Sequence, residues 1–190
     1  MRLLFAVIMS SFLFSCQTSP NKNYYLLTAS NPTSAQQSNP APATLIGIGP
    51  IEVSDYLNRL RVIYQTGDNN VVVADNDYWA ESLDKGIPRV VALNLTQRDN
   101  SRSFVNFPWR TDSVPAYSIR INVQSMTLVN NEAHLVAAWE IFDNTKKVNI
   151  ERRYFSQSIP VKNEAKALAK AYSELLGIMS IDIDQALRKL

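Results

Sequence analysis

The sequence predicts a single α+β domain, a mixed, largely antiparallel sheet with two main helices packed against it. Three observations lead there. Between residues 117 and 159, apolar and polar residues alternate in three successive runs, the period of strands with one covered face. From 164 to 188, apolar residues recur at steps of three or four, the period of an amphipathic helix. Between 44 and 95, shorter β-branched runs precede a second helical segment, and a chain of 190 residues is long enough to bury one such core and still carry a tether.

Residues 1–15 read as the signal peptide of a bacterial lipoprotein. Arg2 precedes the apolar run Leu3–Met9, and Phe12-Leu13-Phe14-Ser15 leads into Cys16. The apolar stretch is too short to span a bilayer, which sets it apart from a transmembrane helix. Cleavage before Cys16 leaves a diacylglycerol on its sulfur and a fatty acyl group such as palmitate on its amine, and two chains already give stable anchoring. The rival readings are an ordinary secretory signal or a core helix that happens to hold a cysteine, and Phe14 is bulkier than the small or β-branched residues usual two positions before a lipidated cysteine. Gln17 is not the aspartate that commonly keeps Gram-negative lipoproteins in the inner membrane, so the expected place is the periplasmic face of the outer membrane. Residues 16–23 form a lipidated polar tether, and the domain runs from 24 to 190.

Tyr24–Thr28 reads as a strand, and 30–43, with Pro32, Pro40 and Pro42, as a flexible loop. Thr44–Val53 alternates bulky residues with Gly47 and Gly49, as a strand does where another backbone comes close. A nucleotide-binding loop is excluded, because Glu52 stands where a third glycine belongs and Pro50 where a helix would follow. Residues 61–65 and 71–74 form a hairpin across Gly67-Asp68-Asn69-Asn70. A helix is expected over about 80–95, its main part starting near Gly86 with Pro88 in the first turn. Residues 98–115 read as a polar loop around the apolar knot 104–109. Three strands then make a meander: one led by Tyr117, Ile119, Ile121 and Val123, one by Leu135, Ala137, Trp139 and Ile141, and a third over 148–159. Asn130-Asn131 joins the first two, and Asp143-Asn144-Thr145 turns into the third. The closing helix places Leu168, Tyr172, Leu175, Leu176, Met179 and Ile183 on one face and Lys166, Lys170, Glu174 and Asp182 on the other. Gly177 in its interior permits close packing or a bend.

The composition narrows function. With 19 basic and 17 acidic residues the chain is close to neutral, and its one basic cluster, Glu151-Arg152-Arg153-Tyr154-Phe155, reads as a strand end, not a nucleic-acid surface. Cys16 is the only cysteine and His134 the only histidine, which removes disulfides and zinc sites of the usual ligand sets. Gly-x-Ser-x-Gly is absent, and Asp75-Asn76-Asp77 resembles turn formers and helix caps more than a carboxylate pair. No catalytic residue, metal ligand or cofactor is assigned, and the expectation is that the protein is not an enzyme. A hydrolase activity lost on changing His134 or Asp77 would reverse that.

Several segments together resemble the ABC-type transport auxiliary lipoprotein family. They are Tyr24-Tyr25-Leu26-Leu27, Ile48-Gly49-Pro50-Ile51-Glu52-Val53 with Asp55-Tyr56-Leu57-Asn58-Arg59, Trp79-Ala80-Glu81-Ser82-Leu83, Phe107-Pro108-Trp109, and the closing helix. Leu60 stands where the family usually has proline, and Pro88 lies in a helix that relatives leave unbroken. The resemblance implies a periplasmic, non-catalytic component of an intermembrane lipid-transport system. Its implied partners are an MCE-domain protein and an inner-membrane transport component, with homo-oligomerisation also implied. Tyr56, Arg59, Trp79 and Trp109 are the expected partner or oligomer contacts. The alternative is a free-standing structural or stress-related envelope lipoprotein, or an auxiliary subunit of another transporter.

Overall fold

The computed structural model describes residues 20–30, 44–66, 69–99 and 101–190. The expected signal peptide, Cys16, nearly all of the expected 30–43 loop and Gly67-Asp68 of the expected hairpin turn lie outside the described residues. In chain order the elements are β1 (Asn23–Tyr25), β2 (Thr44–Val53), β3 (Arg61–Gln65), β4 (Val71–Trp79), α1 (Leu83–Arg98), β5 (Arg102–Asn106), β6 (Tyr117–Val129), β7 (Glu132–Asp143), β8 (Val148–Pro160) and α2 (Ala165–Leu187).

The antiparallel meander β6–β7–β8 forms the stem of one eight-stranded mixed sheet. Asn130 and Asn131 take φ of 52° and 59°, the left-handed pair of a tight hairpin turn, and both are residues that tolerate it. On its other side β6 is shared by two partners. Its first half pairs in parallel with β2, from Ile46 opposite Tyr117 to Val53 opposite Val123. Beyond a register shift between Val123 and Ser125, Thr127 pairs with Gln65 of β3. The shift moves the buried series from Ile119, Ile121 and Val123 to Met126 and Leu128, restoring the same covered face after one extra residue. β5 flanks β2 in parallel, β4 pairs antiparallel with β3, and β1 closes that margin beside β4.

Both helices cover one face. α1 packs on β2 and β5, and α2 packs on α1, β7 and β8. Ile87, Val90, Val91 and Leu95 of α1 and Leu168, Tyr172, Leu175, Leu176, Met179 and Ile183 of α2 join Ile48, Ile119, Ile121, Val123, Trp139 and Ile141 in one core. Gly177 faces Ser30, and a Cβ there would come within 1.8 Å of the serine hydroxyl, so the glycine serves close packing.

Six local expectations are corrected. β1 stops at Tyr25, and beyond it the Leu27 carbonyl and the Thr28 amide bond to side chains of the two helices instead of a strand. β4 continues through Asp75-Asn76-Asp77 to Trp79; these residues are strand, Asp77 opposite Asn23 of β1, and they lie at the register shift against β3 between the Ile63–Val73 and Arg61–Tyr78 pairs. α1 begins at Leu83, where the amides of Lys85 and Gly86 close on the Ser82 carbonyl, and Pro88 sits inside it. Residues 102–106 within the expected polar loop form β5, held by β2. Glu151–Phe155 occupy the middle of β8, and Asp182 faces that strand instead of solvent, beside Arg153 and accepting from Trp139 Nε1 at 3.2 Å.

Candidate functional site

The segment after β2 is pinned to the fork in the sheet. Ser54 donates its amide to the Val123 carbonyl at 3.1 Å and its hydroxyl to the Gln124 carbonyl at 2.7 Å, at the register shift of β6. The amides of Leu57 and Asn58 then turn back onto the Ser54 carbonyl. This tight turn sends Leu57 into the core, leaves Tyr56 half-buried and turns Arg59 and Leu60 outward. Tyr56, Arg59, Leu60 and Arg61 thereby border a groove of about 750 Å³ whose remaining wall is Ile63, Val71 and Val73 of the β3–β4 hairpin. The Tyr56 hydroxyl is buried, and that burial raises its pKa above the ordinary tyrosine value, offset in part by the Met126 backbone.

The four expected contact residues separate. Tyr56 and Arg59 share this groove. Trp79 is 3% exposed and belongs to the core, its amide bonded to the Leu60 carbonyl at 2.6 Å, so the single chain offers no Trp79 surface to a partner. Trp109 is half-buried over β2. Its ring lies where a Cβ on Gly47 would be, 2.3 Å from the nearest ring carbon, and its Nε1 donates to the Val105 carbonyl at 3.2 Å. Phe107 meets it edge-on at 5.2 Å and closes over Gly49, whose φ of 122° suits glycine alone. The close approach expected at these glycines is thus made by aromatic side chains, not by a second backbone.

A further row escaped the sequence reading. Tyr24 of β1 stacks on Tyr78 of β4 at 5.6 Å, Arg61 of β3 stands opposite Tyr78, and Lys22 lies over the same ring. The available signal was Val71-Val72-Val73, which does not alternate as a strand with one wet face should.

The residues considered for chemistry have structural partners. Asp77 Oδ1 accepts from Asn23 Nδ2 at 3.0 Å and from the Tyr25 hydroxyl at 2.9 Å. His134 stands 3.7 Å from Glu132 on the sheet face away from the helices. The basic residues of β8 are shared with acids: Arg152 donates to Glu140 at 2.9 Å, and Arg153 pairs with Glu151 and Asp182. Among the described residues no group of three or more His, Cys, Asp or Glu side chains is arranged to hold a metal, and no helix is long and apolar enough to cross a membrane.

Comparison with known proteins adds the following. The sequence profile described as the ABC-type transport auxiliary lipoprotein component matches residues 25–184. The intermembrane transport lipoprotein PqiC of Escherichia coli strain K12 is 32% identical over 100 residues, 50% of this chain and 51% of that protein. PqiC of Shigella flexneri matches to the same extent, so the chain spans about half the length of these relatives. A crystal structure described only as an uncharacterized protein superposes with a TM-score of 0.71 at 20% identity, over 88% of this chain and 99% of the other. A protein from Xanthomonas campestris gives 0.65 at 14% identity, over 85% and 92%. At such identities the two structures establish the shared fold.

Proposed function

Since the chain belongs to the ABC-type transport auxiliary lipoprotein family, we propose that it is an outer-membrane-anchored periplasmic lipoprotein, acting without catalysis in an MCE-type intermembrane lipid-transport system. One observation carries this reading: a lipid-attachment sequence ending at Cys16 stands a short polar spacer ahead of a domain whose relatives include an intermembrane transport lipoprotein. The proposed partners are an MCE-domain protein of the PqiB kind and an inner-membrane transport component, with further copies of this chain alongside. Phe107 is 52% exposed and sits with Trp109 on the β2–β5 arm, a rigid aromatic pair suited to a protein contact. The absence of catalysis in this reading is supported by Asp77 and His134, whose neighbours are those of ladder residues.

The test is mild-detergent affinity capture of the full-length lipoprotein from its own envelope, with mass spectrometry of what accompanies it. Stoichiometric recovery of an MCE-domain protein, weakened by Phe107→Ala, is the expected result. Recovery of the lipoprotein alone after crosslinking overturns the transport-bridge reading in favour of a free-standing envelope role.

A further inference from the structure

A strand with one covered face alternates exposed and buried residues. At the start of β4 this fails: Val71, Val72 and Val73 are 48%, 36% and 43% exposed, and Leu60 beside them 56%. Val71 and Val73 line the groove, whereas Val72, opposite Tyr64, points to the other side of the hairpin. On the outer edge of β4, β1 reaches only Asp77–Trp79 and leaves the valines unflanked. Cations and phenols stand at the other end of the same groove, where Arg61 lies opposite Tyr78. Tyr24 is 63% exposed on Tyr78, the ring of Tyr78 lies 5.6 Å from Lys22 Nζ and 5.8 Å from the Arg61 guanidinium, and Arg59 completes the groove's rim. None of the ion pairs among the described residues uses Lys22, Arg59 or Arg61. Branched apolar residues with tyrosines and basic side chains at their border make up the composition of a surface that beds into a lipid interface.

The path of the chain indicates which interface. β1 runs parallel to β4, with Asn23 opposite Asp77 and Tyr25 opposite Trp79, so the chain enters β1 from the Val71 end. Pro20, the first described residue, is four residues from Cys16, a separation of at most about 14 Å even when fully extended. A folded domain of ~100 residues has a radius of gyration of about 13 Å, so none fits between Pro20 and a leaflet that holds the acyl chains of Cys16. We propose that the groove face of the β3–β4 hairpin rests in the interface of the leaflet carrying the anchor, with Leu60, Val71 and Val73 at the acyl boundary and Lys22, Tyr24, Arg59 and Arg61 at the phosphates. This rests on lipid attachment at Cys16. The acyl chains hold the molecule on the membrane, and the hairpin fixes which way the domain stands.

Cys16 is the only cysteine of the chain, so after acylation a Val71→Cys substitution supplies a single free thiol on the groove face. The full-length lipoprotein, carrying an environment-sensitive fluorophore there, is reconstituted into phosphatidylethanolamine vesicles with a minority of phosphatidylglycerol. Ser156→Cys on β8, at the far margin of the sheet, carries the control label. The expected result is flotation with the vesicles, a blue-shifted label at position 71, and quenching by shallow spin-labelled lipids severalfold stronger than at position 156. Adding Leu60→Asp lowers that quenching while the thermal midpoint is unchanged. Flotation with equal, aqueous signals at both positions overturns the docking and leaves the anchor standing. A blue shift that lipid-borne quencher does not touch identifies a protein neighbour, a second copy included, and also overturns it. Failure to float overturns the anchor and the docking together.

Discussion

At Gly47 a single added methyl group meets a rigid aromatic ring. Its missing side chain is the space that Trp109 occupies, so Gly47→Ala drives the indole off β2 and away from the Val105 carbonyl. Overpacking of this kind costs about 1–3 kcal/mol, read as a fall in thermal midpoint. In Trp109→Ala the same glycine substitution becomes nearly silent, because the clashing partner is gone; additive losses would separate the two residues. Tyr172 gives a prediction with a pH sign. It is 1% exposed, bonds weakly to the Thr127 carbonyl at 3.4 Å, and its pKa is raised above the ordinary value, by burial first and then by Tyr56 and Tyr64. A raised phenol contributes stability that is complete below the unfolded-state pKa of about 10 and is lost as pH climbs from there towards the folded value. Tyr172→Phe removes both the hydrogen bond and this titration. The variant should therefore be about 1 kcal/mol less stable than the parent at neutral pH, with the gap closing above pH 10 in denaturant melts. A gap independent of pH would mean that the phenol stays neutral throughout or titrates alike in both states.

At the level of elements, what was legible depended on whether a segment's partners were local. The meander and the closing helix could be read from alternation and from the 3.6-residue period, because each strand's partner follows it directly in sequence and each apolar series faces one core. β5 could not: Arg102-Ser103-Phe104-Val105-Asn106 carries little period of its own and is a strand only because β2, more than fifty residues earlier, lies beside it. The Asp75-Asn76-Asp77 turn chemistry was likewise overruled by the flanking pairs of β4, Val71–Val73 against β3 and Asp77–Trp79 against β1, which carry the strand through it. The candidate site was half legible. Tyr56 and Arg59 of the motif Asp55-Tyr56-Leu57-Asn58-Arg59 border one groove, yet motif membership could not tell that Trp79 points inward, since burial is a property of the assembled layers. The contact between α2 and β8 was hidden for the same reason. Asp182 faces Arg153 and accepts from Trp139 Nε1, and Trp139 is 1% exposed. Asp182→Ala leaves that buried donor unpaired and should cost about 1–3 kcal/mol. Asp182→Asn keeps an acceptor and gives up only a partly screened ion pair, which should cost at most about 1 kcal/mol. Equal losses in thermal unfolding would assign the whole effect to charge.

Over the whole molecule, the short segment Tyr25–Ser30 ties the end of β4 to both helices. The Tyr25 carbonyl accepts from Ala80 beyond β4, the Leu27 carbonyl accepts from Arg89 of α1, the Thr28 amide donates to Ser173 of α2, and the Ser30 amide donates to Asn94 of α1. Leu27 itself is 2% exposed within the core. A tether that ended on a loop would leave the domain free to swivel, whereas here the chain goes from its spacer directly into a strap across the sheet margin and both helices. The arrangement separates what the first thirty residues do for location from what they do for folding. Replacing the signal by a cleavable soluble one and starting the mature chain at Pro20 should leave a domain that melts cooperatively near the parent's midpoint, because the strap is intact. Starting instead after Ser30 removes Leu27 and the four bonds together. It should lower the midpoint further than Leu27→Ala, whose cavity alone costs about 2–5 kcal/mol. If the shorter chain melted like the longer one, the strap would be a passenger on a core that closes without it, and the path from anchor to domain would not pass through the helices.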